Sequence, residues 1–440
     1  MKGNANIIWP VAMLATSACR GTLTTDVCDP SGHDELLAPP LHVARAPTNL
    51  LMVSIDTLRV DRIGRFGSSQ LTPFLDEQLG RGVVLGDHQS CSNWTLPSAL
   101  CALTGQSVTS LGTVSLDDEV PEVNSLATWL EASGFVTGLV SGNPYLSRAY
   151  PTGDDYHHEV ALPFETSAAD VVDEALSLYE RSLDARDRPW FLHLHLTDTH
   201  SPYSPPDGYV DDPPEISYDA TTWQGVDELA AAYYGLSSDD QQLVREHVQA
   251  LYDGEVAYLD DQLARMWEVF DEVGALDDTL VVLWSDHGEQ FWEHKRFRHG
   301  RGLYVEEVAA LAAFWAPGLE PAQWPYRTNH QDLAPTILDL LGLDAPVGVS
   351  GVVVGSEPEP RVLFQHKTQS VKPAIGITQD KDRLILSWGD DPPSYFRTDI
   401  DPTESDNRFS EGEPRVKCLY EAAAGEIERM ESILGWSLSW

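Results

Sequence analysis

The stretch Asn49–Asp56, NLLMVSID, decides the fold. Its apolar run is nearly continuous and ends in a carboxylate, the pattern of a parallel strand buried on both faces with a polar residue at its carboxyl end. The pattern recurs in FVTGLVSGN (135–143), WFLHLHLTDTH (190–200) and TLVVLWSDHGE (279–289), each after a helical segment. Before the last comes YDGEVAYLDDQLARMWEVFDEVGAL, from Tyr252, whose apolar residues fall at helical spacing and which stops at Gly274. Alternating helices and buried strands predict an α/β fold with a doubly wound, mostly parallel central sheet flanked by helices. Ligand sites of such sheets gather at the carboxyl ends of strands, so the residues after each run are where chemistry is expected.

Working outward, QDLAPTILDLLGL (331–343) reads as an amphipathic helix, and Pro- and Gly-rich sequence from Asp344 to Pro360 marks a boundary. Beyond it VLFQH, AIGITQ and RLILSW predict short antiparallel strands, with QDKD (379–382) as a hairpin turn and a helix over Val416–Leu434. The expected organisation is a catalytic domain over 48–345 and a small C-terminal α+β subdomain over 346–440. At the amino terminus, Lys2, an apolar run from Ile7 to Ala15 and then Thr16, Ser17 and Ala18 before Cys19 predict an export signal over 1–18. The small residues before Cys19 resemble a bacterial lipobox, with Cys19 lipidated and 19–47 a tether. Cleavage after Ala18 without a lipid is the alternative. The expected location is outside the cytoplasm, as a membrane-anchored lipoprotein facing the periplasm or cell exterior. There Cys28, Cys91, Cys101 and Cys418 can form disulfides whose pairing the sequence leaves open.

Across 440 residues, 69 acidic against 28 basic side chains give a net charge of −41. That balance argues against nucleic acid or a bare anionic membrane surface as the main partner. The chemistry lies at the strand ends: Asp56, then Asp198 and His200, then Asp286 and His287. Adjacent Asp286 and His287 can reach one cation if the backbone bends at Gly288. In SNWTLPSALCALTG (92–105), Thr95 stands at a helix entrance, where free N–H groups favour an anion, although an ordinary N-cap is the plainer reading. Asp56, Thr95, Asp286 and His287 together offer three oxygens and a nitrogen for one divalent ion, a set that suits Mn²⁺ or Zn²⁺ better than Ca²⁺. Asp198, His200 and His330 are weaker candidates for a second ion. Asp198 is equally suited to capping its loop, and His330 to a surface position. His193 and His195 lie at strand spacing and are expected in structural roles, and His157 and His158 in a surface loop.

NLLMVSIDTLRVDRIG, WTLPSALCALTG, HLTDTHSPY, LWSDHGEQFWEHKRFRHG, QDLAPTILDLLG and YFRTDIDPTESDNRF stand in an order that resembles the sulfatase-like branch of the alkaline phosphatase superfamily, from about Asn49 to the carboxyl terminus. The resemblance implies that Asp56, Asp286 and His287 are metal ligands and that Thr95 is the nucleophile with its oxygen on the metal. It puts His200 and His299 against the substrate's ester oxygens or leaving group. Arg59, Asn143, Lys295 and His294 are further candidates for contact, although an ion pair of Arg59 with Asp61 is as good a reading.

The departures give the chemistry a direction. Sulfatases carry a CxPSR motif whose cysteine becomes formylglycine, whereas here the corresponding residues are Thr95, Leu96, Pro97, Ser98 and Ala99. Asp56-Thr57 replaces two adjacent aspartates, and SGNPYLS a G-K-W-H segment. A formylglycine hydrate releases sulfate by collapsing to the aldehyde, an exit that a threonine ester lacks, so Thr95 favours phosphoryl transfer. The expected function is cleavage or transfer of phosphate mono- or diesters on a small-molecule, glycan or lipid-headgroup substrate. The alternatives are a sulfuric ester hydrolase using threonine, and a catalytically silent lipid-anchored binding protein of the same fold.

Overall fold

In a computed structural model Asn49–Ile55 forms strand β1, with every residue from Leu50 to Ile55 buried. The structure describes residues 41–440 except 68–69, 113–121, 148–149, 151–155, 184–187, 211–212, 357–360, 369–371, 390, 436 and 439–440. The expected export signal, Cys19, Cys28 and most of the tether lie outside the described residues. Among the described residues no helix is long and apolar enough to cross a membrane.

The strands that follow are β2 (Val83–Gln89), β3 (Val136–Ser141), β4 (His158–Ala161), β5 (Trp190–Leu196), β6 (Thr279–Ser285), β7 (Gln290–Phe291), β8 (Phe297–Arg298), β9 (Ala309–Ala310), β10 (Ala312–Trp315) and β11 (Ala322–Asn329). The central sheet runs β11-β2-β10-β6-β1-β5-β3-β4, with β9 on β2, while β7 and β8 form a separate ribbon. Pairings are parallel except for those of β9 and β10, so the mostly parallel, doubly wound sheet is as expected. Period-two alternation in β1 explains why helices cover both faces. Leu51, Val53 and Ile55 join one core, with Val171 and Val172 of the helix Ala168–Leu178 and with Leu259 and Leu263 of the helix Ser238–Glu272. Leu50 and Met52 join the other, with Ala99 and Leu103 of the helix Thr95–Thr104 and Ile337 of the helix Leu333–Leu340. Each large apolar side chain so buried contributes about 1.5–3 kcal/mol.

The sequence reading missed β2, β4, β10 and β11, because GDHQ in β2 and the Pro325-containing AQWPYRTN of β11 interrupt the apolar pattern, and β4 and β10 are short; His158, expected in a surface loop, opens β4 opposite Gly138. The long helix begins at Ser238 rather than near Tyr252, its polar first turns hiding the period, and it ends before Gly274 at φ +71°.

The C-terminal strands β12 (Val362–Lys367), β13 (Ala374–Gln379), β14 (Asp382–Ser387) and β15 (Ser394–Arg397) form an antiparallel sheet in that order. Asp380 turns the β13–β14 hairpin at φ +52°. The single closing helix expected is two, Pro414–Ala422 and Ala424–Leu434, broken at Ala423 two residues before Gly425. Their Val416, Leu419, Ile427 and Met430 pack on Ile375, Ile377, Leu384 and Leu386.

This subdomain grips the segment that leads into the helix Thr95–Thr104. The His366 N–H donates to the Cys91 carbonyl at 2.8 Å, Ser92 Oγ to the His366 carbonyl at 2.7 Å, and Trp94 Nε1 to Thr368 Oγ1 at 2.9 Å. Glu426 closes the contact, accepting from Thr109 Oγ1 at 2.6 Å and lying 3.0 Å from His366 Nε2. Burial pushes the Glu426 carboxyl up, but His366, Thr109 and Arg429 outweigh it and bring the pKa from 4.5 down to about 2. A depressed carboxylate stabilises the fold above its unfolded pKa, and that contribution is lost as pH falls through 4.5 toward about 2. Glu426→Gln should cost about 1–3 kcal/mol at neutral pH and flatten the acid limb of the Tm profile. Parallel acid limbs in thermal melts of the variant and the wild type would refute this account.

Candidate active site

Parallel register brings the strand ends together. The Asp56 N–H donates to the Leu196 carbonyl at 2.9 Å and the Asp286 N–H to the Ile55 carbonyl at 3.1 Å, so the residues just past β1, β5 and β6 share one level. Thr57 takes a left-handed turn at φ +55°, which lets its N–H reach Asp286 Oδ1 at 3.0 Å. Asp286 Oδ1 also accepts from the His287 N–H at 2.7 Å. Gly288 follows because nothing larger fits: a Cβ there would lie 2.1 Å from the Glu306 carbonyl oxygen.

Three buried polar atoms in this group have no hydrogen-bond partner: Asp56 Oδ1, Asp286 Oδ2 and His287 Nε2. His287 Nε2 lies 3.3 Å from Asp286 Oδ2 and 3.7 Å from Asp56 Oδ1. His287 Nδ1 donates to the Gly288 carbonyl at 2.9 Å, so the Nε2 of the neutral ring turns a lone pair toward two carboxylates. Only a proton or a cation reconciles those three atoms. Burial lowers the His287 pKa to about 3. Burial also pushes Asp56 up, but His195, His200 and His287 overcome it and hold Asp56 well below the carboxylate range. Asp286, raised by burial and by Asp56, sits well above that range, while the nearby Thr95 hydroxyl opposes the rise.

Asp56, His195 and Asp286 each bring a ligand atom within 4.8 Å of the others, so this buried group could hold a metal ion. His195 was expected to be structural. It accompanies Asp56 instead, with Nε2 at 3.4 Å from Asp56 Oδ2 and Nδ1 at 2.7 Å from Ser54 Oγ. The signal was in the strand: in HLHL both imidazoles share a face, and His195 is the one nearer the carboxyl end. His193 is structural, held between Ser54 Oγ at 2.9 Å and Tyr156 Oη at 3.0 Å.

Thr95 is the first residue of its helix and not the N-cap. That position belongs to Trp94, whose side chain caps nothing, so the open first turn faces the site. A disulfide between Cys91 and Cys101 closes the ring of chain that carries Thr95.

Above these groups opens a cleft of about 640 Å³ lined by Thr95, Asn143, His200 and His299 among others. Asn143 Nδ2 donates to Asp56 Oδ2 at 2.8 Å. The rings of His200 and His299 are 5.0 Å apart, and those of His299 and His287 4.6 Å. His200 Nδ1 donates to the Ser201 carbonyl at 2.6 Å, leaving Nε2 for the cleft. His299 Nδ1 lies 3.2 Å from Glu289 Oε1, a fully buried carboxyl that sequence reading overlooked because it lies inside the SDHGEQ run. Burial brings the Glu289 pKa up to about 7 and the His299 pKa down to about 4.

The other candidates lie outside this cleft. Arg59 does not line the cleft: it is 5% exposed, paired with Asp61 at 2.7 Å and Glu293 at 2.6 Å, and donates to the Glu289 carbonyl at 3.0 Å. Lys295 is exposed on a left-handed turn at φ +58° outside the cleft, and His294 stacks on Tyr304 and faces Glu306 at 3.2 Å. His330 is buried and not at the surface, with Nε2 3.1 Å from the Ser285 carbonyl. Asp198 accepts from the first N–H of the helix Ala168–Leu178, that of Ala168, at 2.8 Å, and lines a separate smaller cavity.

Residues 48–343 match the sulfatase family profile. The chain is similar to an arylsulfatase of Clostridium perfringens, 24% identical over 283 residues that cover 59% of this chain and 58% of that protein. It is also similar to a choline-sulfatase of Rhizobium meliloti, 26% identical over 259 residues, 52% of this chain and 49% of that one. It thus spans about half to three fifths of the length of these curated relatives. The crystal structure of a phosphonate monoester hydrolase of Agrobacterium radiobacter shares the fold, with a TM-score of 0.65 at 20% identity over 89% of this chain and 96% of that chain. With well over half its length inside the profile, from the strand that opens the sheet to the helix that precedes the C-terminal subdomain, the chain belongs to the sulfatase family.

Proposed function

We propose that the chain is an exported, metal-dependent hydrolase of phosphate monoesters and diesters that works through a covalent Thr95 intermediate. The observation that carries this reading is the position of Thr95. It is the one aliphatic hydroxyl among the described residues lining the cleft, it opens a helix, and it is near enough to Asp286 to oppose the rise of that carboxyl's pKa. A threonine ester cannot collapse to an aldehyde and must be opened at its central atom, an attack that phosphorus accepts readily.

Asp56, Asp286 and His287, with the Thr95 hydroxyl as fourth donor, would hold one ion, Mn²⁺ or Zn²⁺ by the chemistry of the set. Bound there, such an ion supplies Lewis acidity, lowering the pKa of the Thr95 hydroxyl and offsetting charge on the ester oxygens. Thr95 Oγ1 passes its proton to the neutral imidazole of His299 or His200 and bonds to phosphorus as the bond from phosphorus to the alcohol oxygen breaks, and the imidazole hands that proton to the departing oxygen. Water then passes a proton to the same imidazole and bonds to phosphorus, the bond to Oγ1 breaks, and Oγ1 takes that proton back from the imidazole. The open first turn of the helix steadies the equatorial oxygens in both steps. Asn143 orients Asp56, and Glu289 holds His299 so that Nε2 faces the cleft.

Export is supported by the signal-like sequence ahead of Cys19, the proposed lipid anchor, and by the Cys91–Cys101 disulfide, which suits an oxidising compartment. A sulfuric ester substrate is the second reading, favoured by the names of the two curated relatives.

Matched nitrophenyl phosphate, phosphodiester and sulfate, given to the full chain with Mn²⁺ or Zn²⁺, test the proposal. Phosphorus esters should be preferred. Thr95→Ala should lower kcat by about a thousandfold or more with Tm unchanged. Chelation should silence the enzyme and added metal restore it. Faster sulfate release would overturn the phosphorus assignment, and tight metal binding without turnover of any ester would mark a silent binding protein. Glu289→Gln should lower kcat about 10- to 100-fold at nearly constant KM. A change confined to KM would remove Glu289 from its positioning role.

A further inference from the structure

The cleft holds more positive charge than one ester group uses. With 28 Lys and Arg among 440 residues, about one would be expected among the sixteen that line it, yet there are five: Arg296, Arg298, Arg301, Lys367 and Lys372. Asp391 is the one carboxylate among the described lining residues. In a chain of net charge −41 this is a local reversal of sign.

Ion pairs with described residues leave part of it, at Arg296, Lys367 and Arg301, unabsorbed. Asp391 Oδ2 is shared between Arg296 Nη2 at 3.3 Å and Lys367 Nζ at 4.0 Å. Arg298 pairs with Asp227 at 2.9 Å and lies over the Trp223 ring at 5.2 Å. Arg301 makes no ion pair with a described residue and gives its carbonyl to Arg296 Nη1. Lys367 is 3% exposed, and burial pulls its pKa down. A buried ammonium with a distant, shared partner is stabilised when an anion enters beside it. The two lysines also stand apart from the reacting groups in the fold, while Arg298 and Arg301 flank His299. Thr95, Asn143, His200 and His299 come from the segments around the central strand ends, whereas Lys367, Lys372 and Asp391 belong to the C-terminal subdomain, with Arg296 reaching across.

Resting on the Thr95 hydrolase reading, the geometry points to a substrate that carries a second anionic group, remote from the scissile ester and docked by Lys367, Arg296 and Arg301. A carboxylate, a sulfate or a further phosphate would satisfy it. An ester whose remainder is uncharged would leave this wall unused.

The test compares nitrophenyl phosphate with its ring-carboxylated twin on the full chain. The carboxylated ester should have a kcat/KM about tenfold higher or more, carried by KM. The advantage should shrink as NaCl rises, because the partly exposed cations are screened. Lys367→Met and Arg301→Gln should each erase most of the advantage while leaving the plain ester within about twofold. Arg301 is exposed, so its variant guards against misfolding at buried Lys367. Equal kcat/KM for the twins, or an advantage that both variants keep, would overturn the inference and leave the hydrolase reading standing. If neither ester turns over, the hydrolase reading fails, and calorimetry with benzene disulfonate against benzenesulfonate still reads the dock. Tighter disulfonate binding that both variants lose supports it, and equal binding refutes it.

Discussion

Two carboxylates, Asp56 and Asp286, are fully buried at the ends of adjacent parallel strands, and the surrounding structure answers the cost of holding them there. Like charges in a dry interior cannot both stand unpaired, so one keeps a proton or a cation joins them. The supporting groups follow from that constraint: Asn143 and His195 on one oxygen of Asp56, and the N–H groups of Thr57 and His287 on one oxygen of Asp286. Each carboxylate is satisfied on one side and open on the other. The open sides, with His287 Nε2, define where a positive charge belongs.

The proposed nucleophile is held by a different part of the molecule. Thr95 rides on a short helix whose entry loop is closed by the Cys91–Cys101 disulfide and clamped from above by β12 of the C-terminal subdomain. A hydroxyl that must meet both a cation and an incoming ester gains from such rigidity, because effective concentration falls steeply with misplacement. The subdomain is thereby a structural part of the site. It braces the Thr95 loop through His366 and Thr368, and it supplies lysines to the cleft wall.

The site also divides its charges by depth. At the bottom, acidic ligands and neutral imidazoles favour a metal ion. At the mouth, cations favour an anion. An ester with negative oxygens would bridge the two levels, which are separated by the row of His287, His299 and His200. The acidic remainder of the surface repels anions elsewhere, so the cleft is where an anion finds attraction.

The sequence alone determined the fold class and the bottom of the site. Buried parallel strands are written as continuous apolar runs, and a polar residue at the end of such a run can only project from the sheet's carboxyl edge, so Asp56, Asp286 and His287 were legible one strand at a time. The strands β2, β4, β10 and β11 were not, since polar residues, Pro325 and short length erase the periodicity that pattern reading needs. Tertiary structure alone decided which neighbours serve the site. Arg59, three residues from Asp56, is turned away by Asp61 and Glu293, while Lys367, more than 300 positions from Asp56, lines the cleft. It also gave His195 to Asp56, Glu289 to His299 and Asn143 to Asp56. The physical reason is that local pattern reports burial and backbone direction, whereas a side chain's partner is set by strand register and by docking of distant segments, which no short window of sequence contains.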